Sequence, residues 1–76
     1  KDSDAEVISF QVSEESPLVD RPLQDIDFPE HAILAAIVHG DDVIIPRGDD
    51  RLQVGDEAIV FALADAVSDV TLLFPS

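Results

Sequence analysis

The chain has 76 residues, of which 17 are acidic and four are basic, and its formal net charge is −13. A chain of this length forms one small domain and buries only about 60% of the surface that its unfolded form exposes, so its stability is marginal. The sequence contains no cysteine, which excludes disulfides and thiolate chemistry, and no apolar run approaches the roughly 18 residues of a membrane span. Because no basic patch is present, nucleic acid is not expected as a partner.

The acidic excess also predicts a dependence on salt. Self-repulsion at this charge density destabilises a compact chain in dilute buffer, and molar salt screens it because the Debye length falls to about 3 Å. Abundant Asp and Ala with a single Lys resemble the composition of a halophile's cytoplasmic protein, where potassium chloride would supply the screening. The alternative is that other parts of a longer parent chain offset the charge.

The first predicted element is a strand over residues 6–12. Its apolar residues Ile8, Phe10 and Val12 alternate with polar ones, so we expect one face to be buried and the other to be solvated. A polar loop follows this strand.

A short helix is predicted next, with Asp20 as its N-cap and Pro22 in its first turn, where the missing N–H costs little. Leu23 and Ile26 would be its buried residues. The helix would end before Pro29, because a residue that precedes proline avoids helical backbone angles.

Two further strands, residues 32–38 and 58–63, are apolar on both faces. Strict alternation in the first of them places Ile33, Ala35 and Ile37 on one face. Strands of this kind need cover on both sides of the sheet.

The last predicted element is a helix over residues 66–74 with Asp65 as its N-cap. Val67, Val70 and Phe74 form its apolar stripe, with Leu73 beside it. Because two small helices give little cover for a sheet, we expect a second copy of the domain, or another part of its parent, to supply the rest.

Three segments rich in Gly and Asp separate the apolar runs in the second half of the chain: Gly40-Asp41, residues 46–49 and Gly55-Asp56. Gly and Asp tolerate the backbone angles of tight turns, so these segments predict a meander of short strands. The predicted fold is therefore α+β. It is a small sheet of four or five short, mostly antiparallel strands with two helices, in the order β-α-β-β-β-α.

The segment "VIIPRGDDRLQVGD", followed by "EAIVFA", resembles the TrkA-C domain, which is also called the RCK C-terminal domain. The resemblance extends over about residues 6–74 and includes "SPLVDRPLQDIDFPEHAILAAI" and a final helix that ends in "LLF". The chain departs from the family at Asp20-Arg21, where Gly-Lys is common, and at His39-Gly40, where the family often has an Arg.

The resemblance implies a non-catalytic, ligand-sensing and dimerisation domain of a potassium uptake system, most similar to the last domain of a TrkA subunit. Residues 1–76 would be one such domain of a larger protein, cytoplasmic and peripheral to the inner face of the membrane. The implied partners are a second copy, a Rossmann-type nucleotide-binding domain and a membrane potassium transporter subunit. The alternatives are a purely structural dimerisation module, or the regulatory domain of another cation or anion transporter or channel.

The sequence carries no motif for catalysis or for a bound cofactor. It has no Gly-x-Ser-x-Gly context, no Gly-x-Gly-x-x-Gly and no Walker loop, so we expect neither an enzyme nor an NAD or ATP site in this chain. Some family members bind cyclic dinucleotides at the dimer interface of this domain. The resemblance therefore leaves open a nucleotide-type effector of unknown identity.

Two Gly-Asp-Asp triplets contain the carboxylates of Asp41, Asp42, Asp49 and Asp50. Clustered carboxylates can bind hard cations, but both triplets fall in predicted turns and the EF-hand spacing is absent. We therefore favour turn chemistry over a weak cation site.

Arg47 and Arg51 are two of only three arginines in the chain. They could pair with Asp49, Asp50 or Asp56, which would contribute little at a surface, or one of them could contact an anionic ligand. Local pairing is the favoured interpretation.

The predicted ligand site is a groove at a two-fold interface, with apolar walls and a few polar groups at its rim. The resemblance places it at the small-helix region and the central strand. The residues nominated are Leu18, Phe28, Ile37 and Pro46 as walls, and His39 and Arg47 as polar contacts.

Overall fold

Four strands and one short α-helix are present in the structure, a computed structural model that describes residues 5–76. The strands are β1 (Ala5–Gln11), β2 (Ala32–His39), β3 (Asp42–Ile44) and β4 (Glu57–Leu63). Single 3-10 turns lie at Leu23–Asp25 and Ala64–Ala66, and the second leads directly into α1 (Val67–Leu72). Residues 1–4 of the predicted domain lie outside the described part.

The strand order is β1-β4-β2-β3, and every neighbouring pair is antiparallel. This confirms the predicted fold class, but the simple meander is wrong. β4 pairs with β1 and β2 rather than with β3, because the connection after β3 first runs beside the early loop, where Val19 bridges Leu52 and Pro22 bridges Arg51. The last strand is thereby inserted into the middle of the sheet.

A β-bulge at Ala35 interrupts β2. Before it Leu34 pairs with Val60, and after it Ala36 pairs with Ile59, so the alternation shifts by one residue. Ile33 and Ile37 therefore lie on opposite faces of the sheet, and the prediction that they share a face is wrong. An extra residue in one strand reverses the side that each later side chain takes.

The first predicted helix is a single 3-10 turn, and Asp20 is not its cap. Asp20 has a φ of 65°, whereas an N-cap residue adopts an extended backbone, and its N–H donates to the Leu52 carbonyl at 2.9 Å. Leu23 and Ile26 are half-buried rather than buried.

The final helix is shorter than predicted, and Asp65 does not cap it with its side chain. The Asp65 carboxylate instead lies 3.0 Å from Nδ1 of His31. Of the predicted apolar stripe, Val70 and Phe74 are buried and Val67 is half-buried, although Phe74 lies beyond the end of α1. The Phe74 ring stacks on Phe10 at a centroid distance of 4.7 Å.

These elements cover only one side of the sheet. The covered face, defined by inward side chains on three strands, packs against α1 and the loops; its members are Ile8, Phe10, Leu34, Ile37, Ala58, Val60 and Ala62. The open face carries Val7, Ser9, Ile33, Ala36, Ile59, Phe61 and Leu63. Among residues 5–76, no helix has the length and hydrophobicity needed to cross a lipid bilayer.

Candidate functional site

A cavity of about 310 Å³ lies between the 3-10 turn at Leu23–Asp25, the start of β2 and the loop that follows β3. The lining residues are mostly apolar: Leu18, Leu23, Gln24, Ile26, Phe28, Ala32, Ile33, Leu34, Pro46, Arg47, Gly48 and Leu52. A volume of this size is at the lower end of the range of about 300–1,000 Å³ that is usual for small-molecule sites. Apolar walls with a few polar groups are typical of such sites.

Backbone hydrogen bonds hold the two loops that form the cavity against each other. The Gln24 N–H donates to the Gly48 carbonyl and the Leu23 N–H to the Asp50 carbonyl, both at 2.9 Å. A Cβ on Gly48 would lie 3.1 Å from the side chain of Gln24. Glycine at this position therefore permits the close approach of the loops.

Arg47 is the cationic group at this cavity. Its backbone N–H donates to Oδ2 of Asp50 at 2.8 Å, and the residue is exposed. Arg51 donates to the Asp20 carbonyl at 2.8 Å. The predicted ion pairs are wrong for both arginines, because neither guanidinium reaches a carboxylate within residues 5–76.

The structure brings four of the six nominated ligand residues to this cavity: Leu18, Phe28, Pro46 and Arg47. The other two lie elsewhere. Ile37 is 1% exposed and packs in the core, where it pairs with Ala58 and Ile44. His39 ends β2 and contacts Asp56 instead.

Sequence reasoning missed the contribution of Gln24, Gly48 and Leu52 to the cavity. The signal available for them was the pairing of two distant loops, which a single sequence does not reveal. Leu23 and Ile26 had an apolar signal but were assigned to a helix face; they are half-buried because they line the cavity.

The four aspartates considered for a weak cation site do not form one cluster. Asp50 shapes the turn at Arg47, and Asp42 pairs with His39 across the β2–β3 hairpin. In the described part of the chain, no three His, Cys, Asp or Glu residues converge in an arrangement that could hold a metal ion.

A second polar cluster surrounds Asp56, a buried carboxylate that the sequence suggested only as a turn residue or as a partner for an arginine. Its Oδ1 lies 2.5 Å from Nδ1 of His39, and its Oδ2 accepts the Gln53 N–H at 3.0 Å. The hydrogen bond that Asp56 accepts from the imidazole raises the pKa of His39 above its ordinary value of 6.5, and the negative charges of Asp56 and Asp42 act in the same direction.

Comparison with known proteins agrees with this architecture. The family model of the TrkA-C domain matches residues 7–74. The chain is 49% identical over 70 residues to the Trk system potassium uptake protein TrkA homolog 2 of Methanosarcina mazei, covering 92% of this chain and 16% of that protein. It is 40% identical over 73 residues to the Trk system potassium uptake protein TrkA of Azorhizobium caulinodans, covering 96% of this chain and 16% of that protein.

A solved structure described as "Structure of RCK domain with cda" has the same fold. Its TM-score is 0.76 at 21% sequence identity, and the match covers 91% of this chain and 97% of that one. The sheet order and the match to that structure define a small domain with the RCK-type fold. Within that class, this chain belongs to the TrkA-C domain family, as its sequence predicts. The chain spans about a sixth of the length of the two relatives.

Proposed function

We propose that this domain binds a small effector within a potassium uptake system. As a homodimer, it would transmit the effect of that binding to a membrane transporter. The proposal rests on the cavity, which joins apolar walls to one cationic side chain in a chain with a net charge of −13. The relatives named as Trk system potassium uptake proteins support the transport context. The domain would act at the cytoplasmic side of the membrane, next to a Rossmann-type nucleotide-binding domain of the same parent protein.

The chemistry of the cavity indicates the class of ligand. Phe28 and its aliphatic neighbours offer contact to a flat or apolar body, and the Arg47 guanidinium can donate paired hydrogen bonds to a phosphate or carboxylate. An anion attached to an apolar or aromatic group would satisfy both parts. A nucleotide-type effector has this composition.

Isothermal titration calorimetry with cyclic dinucleotides and mononucleotides in high salt tests the proposal. We expect at least one to bind, and Arg47→Gln to weaken its binding by about 10-fold or more, since a charge-assisted hydrogen bond is lost. Arg21→Gln is the matched control, because Arg21 donates to the Asp25 carbonyl and does not line the cavity. Binding that is equal in both variants would place the ligand elsewhere, and no binding of any nucleotide would contradict the sensing role.

The open face supports the dimeric part of the proposal. Val7, Ile33 and Phe61 form a cross-strand row, and their exposed fractions are 69%, 60% and 43%. Strands of seven residues side by side give a face of roughly 20 by 20 Å, and a stable interface buries about 800 Å² on each partner. The face by itself supplies about half of that area, so residues around its rim would have to contribute the rest. Ile33 also lines the cavity, so the proposed interface and the ligand site adjoin.

The second candidate function is a purely structural dimerisation module, which the apolar open face favours without any ligand. Calorimetry separates the two functions, because a structural module would dimerise and bind no effector. Regulation of another cation or anion transporter remains the alternative for the partner, and co-purification of the full-length parent with its membrane subunit would identify it.

A further inference from the structure

His39 lies where three strands meet at one end of the sheet. It is the last residue of β2 and pairs with Asp42, the first residue of β3. On its other side, β2 pairs with β4 up to Val38 and Glu57. The next position in this register would pair His39 with Asp56, and here the side chains make the contact, at 2.5 Å between Nδ1 and Oδ1.

Asp56 is a fixed anchor for this contact. The residue is 3% exposed, and its second carboxylate oxygen accepts the Gln53 N–H. Its backbone N–H also donates to the Gln53 carbonyl at 3.0 Å, and its carbonyl accepts the Val12 N–H at 2.9 Å. Because its carboxylate accepts the Gln53 N–H and its backbone is bonded at both the N–H and the carbonyl, Asp56 cannot follow the imidazole if the ring moves away.

β3, in contrast, is attached weakly. It has three residues, pairs only with β2, and forms an edge of the sheet. Val43 in its centre is 68% exposed, and of the three residues only Ile44 packs against the core. Two residues after β3 ends, Pro46 begins the segment that forms one wall of the cavity. A change at the His39–Asp42 end of β3 therefore has a short covalent route to that wall.

We propose that protonation of His39 controls the mobility of β3 and of the cavity wall that follows it. With the ring protonated, one cation lies between the carboxylates of Asp56 and Asp42 and holds the start of β3 to the sheet. Loss of the proton leaves these two negative groups facing a neutral ring, and the start of β3 loosens. The groups that face His39 are Asp56 before β4 and Asp42 on β3, and the raised pKa of His39 agrees with this arrangement.

This coupling between the protonation of His39 and the mobility of the cavity wall goes beyond effector binding, because it requires no ligand. In the bound domain it would make the affinity of the cavity depend on pH. At a pH below the pKa of His39 the wall is held in place, and above it the wall is mobile. A transport regulator would thereby respond to the proton concentration as well as to its effector.

Nuclear magnetic resonance of the ligand-free chain between pH 5.5 and 8.5 tests whether protonation of His39 controls the mobility of β3. We expect the amide signals of Ile44 and Gly48 to titrate with the midpoint of the His39 ring, and amide exchange at Ile44, corrected for its intrinsic rate, to accelerate above that midpoint. His39→Gln should abolish this titration. His31→Gln, which removes the other histidine, should leave it unchanged.

Constant signals of Ile44 and Gly48 while His39 titrates would overturn the proposal, as would an unchanged titration in His39→Gln. If His39→Gln does not fold, Asp56→Asn provides the second test, since the amide still offers an acceptor to Gln53. In that variant the His39 midpoint should fall, and the midpoints of Ile44 and Gly48 should fall with it. A His39 midpoint that moves without the other two would also overturn the proposal.

Discussion

The two faces of the sheet are built from similar residues but have opposite environments. Ile37 on the covered face is 1% exposed, whereas Ile33, four residues earlier on the same strand, is 60% exposed. On β4, Val60 is 0% exposed and its neighbour Phe61 is 43% exposed. Hydrophobicity alone therefore does not decide burial in this domain. The position of α1 and the loops decides it, and the open face stays exposed in the single chain.

The largest expected effect compares Ile37→Ala with Ile33→Ala. Truncating the buried isoleucine should lower the free energy of unfolding by about 2–5 kcal/mol, because it removes apolar contacts and leaves a cavity. Truncating the exposed isoleucine should change it by about 0.5 kcal/mol or less in the monomer. Urea denaturation at low protein concentration measures both. Equal losses would mean that the bulge at Ala35 does not separate the two side chains.

The second effect concerns the open face directly. Phe61→Asp introduces a charge in the centre of the proposed dimer interface and should weaken association by about 30-fold or more, the effect expected at an interface hot spot of about 2 kcal/mol. Sedimentation equilibrium in high salt measures it.

Leu72→Asp is the matched control for that substitution. Leu72 is 76% exposed on α1, away from the sheet face, so the same kind of change should leave the dimer intact. If wild-type protein is monomeric at tens of micromolar, or if Leu72→Asp dissociates the dimer as strongly as Phe61→Asp, the open face is not the interface.

A smaller effect is expected from salt. Seventeen acidic residues oppose four basic ones, so both folding and the approach of two copies are unfavourable at low ionic strength. A gain of about 1 kcal/mol on screening would raise the melting temperature by about 4–8 °C for a domain of this size. Thermal unfolding from low to molar potassium chloride, with choline chloride at equal ionic strength as the control, separates screening from specific potassium binding. A constant melting temperature would remove the argument for a halophilic source.

The smallest effect is the pH dependence of the His39 contact at the edge of the sheet. Because its folded-state pKa is raised, the contact stabilises the fold most fully below the unfolded pKa of about 6.5, and this contribution is lost as the pH rises through the folded-state pKa. The stability difference between wild type and His39→Gln should therefore shrink from pH 5.5 to pH 8.5. A difference that is constant or increases over this range would contradict the proposed pairing.

Several features of the fold could be predicted because they depend on local sequence. Alternating apolar residues define β1, and the continuous apolar runs of residues 32–38 and 58–63 indicate two further strands. The turn residue Gly40 has the positive φ, 61°, that its pairing with Asp41 in a tight turn suggested. The motif in residues 43–62 was sufficient to identify the family.

Other features depend on contacts between distant parts of the chain. The helix expected after Asp20 is a 3-10 turn, because hydrogen bonds to Gly48 and Asp50 fix its backbone instead. The cavity was only partly predicted: its apolar walls have a sequence signal, but Ile37 and His39 were assigned to it because the family resemblance indicates the central strand, and only the start of that strand lines the cavity.

By itself the sequence determined the family, the strands, the turns and the acidic surface, since each follows from residue type and short-range spacing. Only the tertiary structure decided which apolar face is covered, where β4 is inserted, and that the buried Asp56 contacts His39. These outcomes depend on a one-residue bulge and on the pairing of loops far apart in the chain. Neither leaves a periodic signal, because each is selected by the packing of the whole domain.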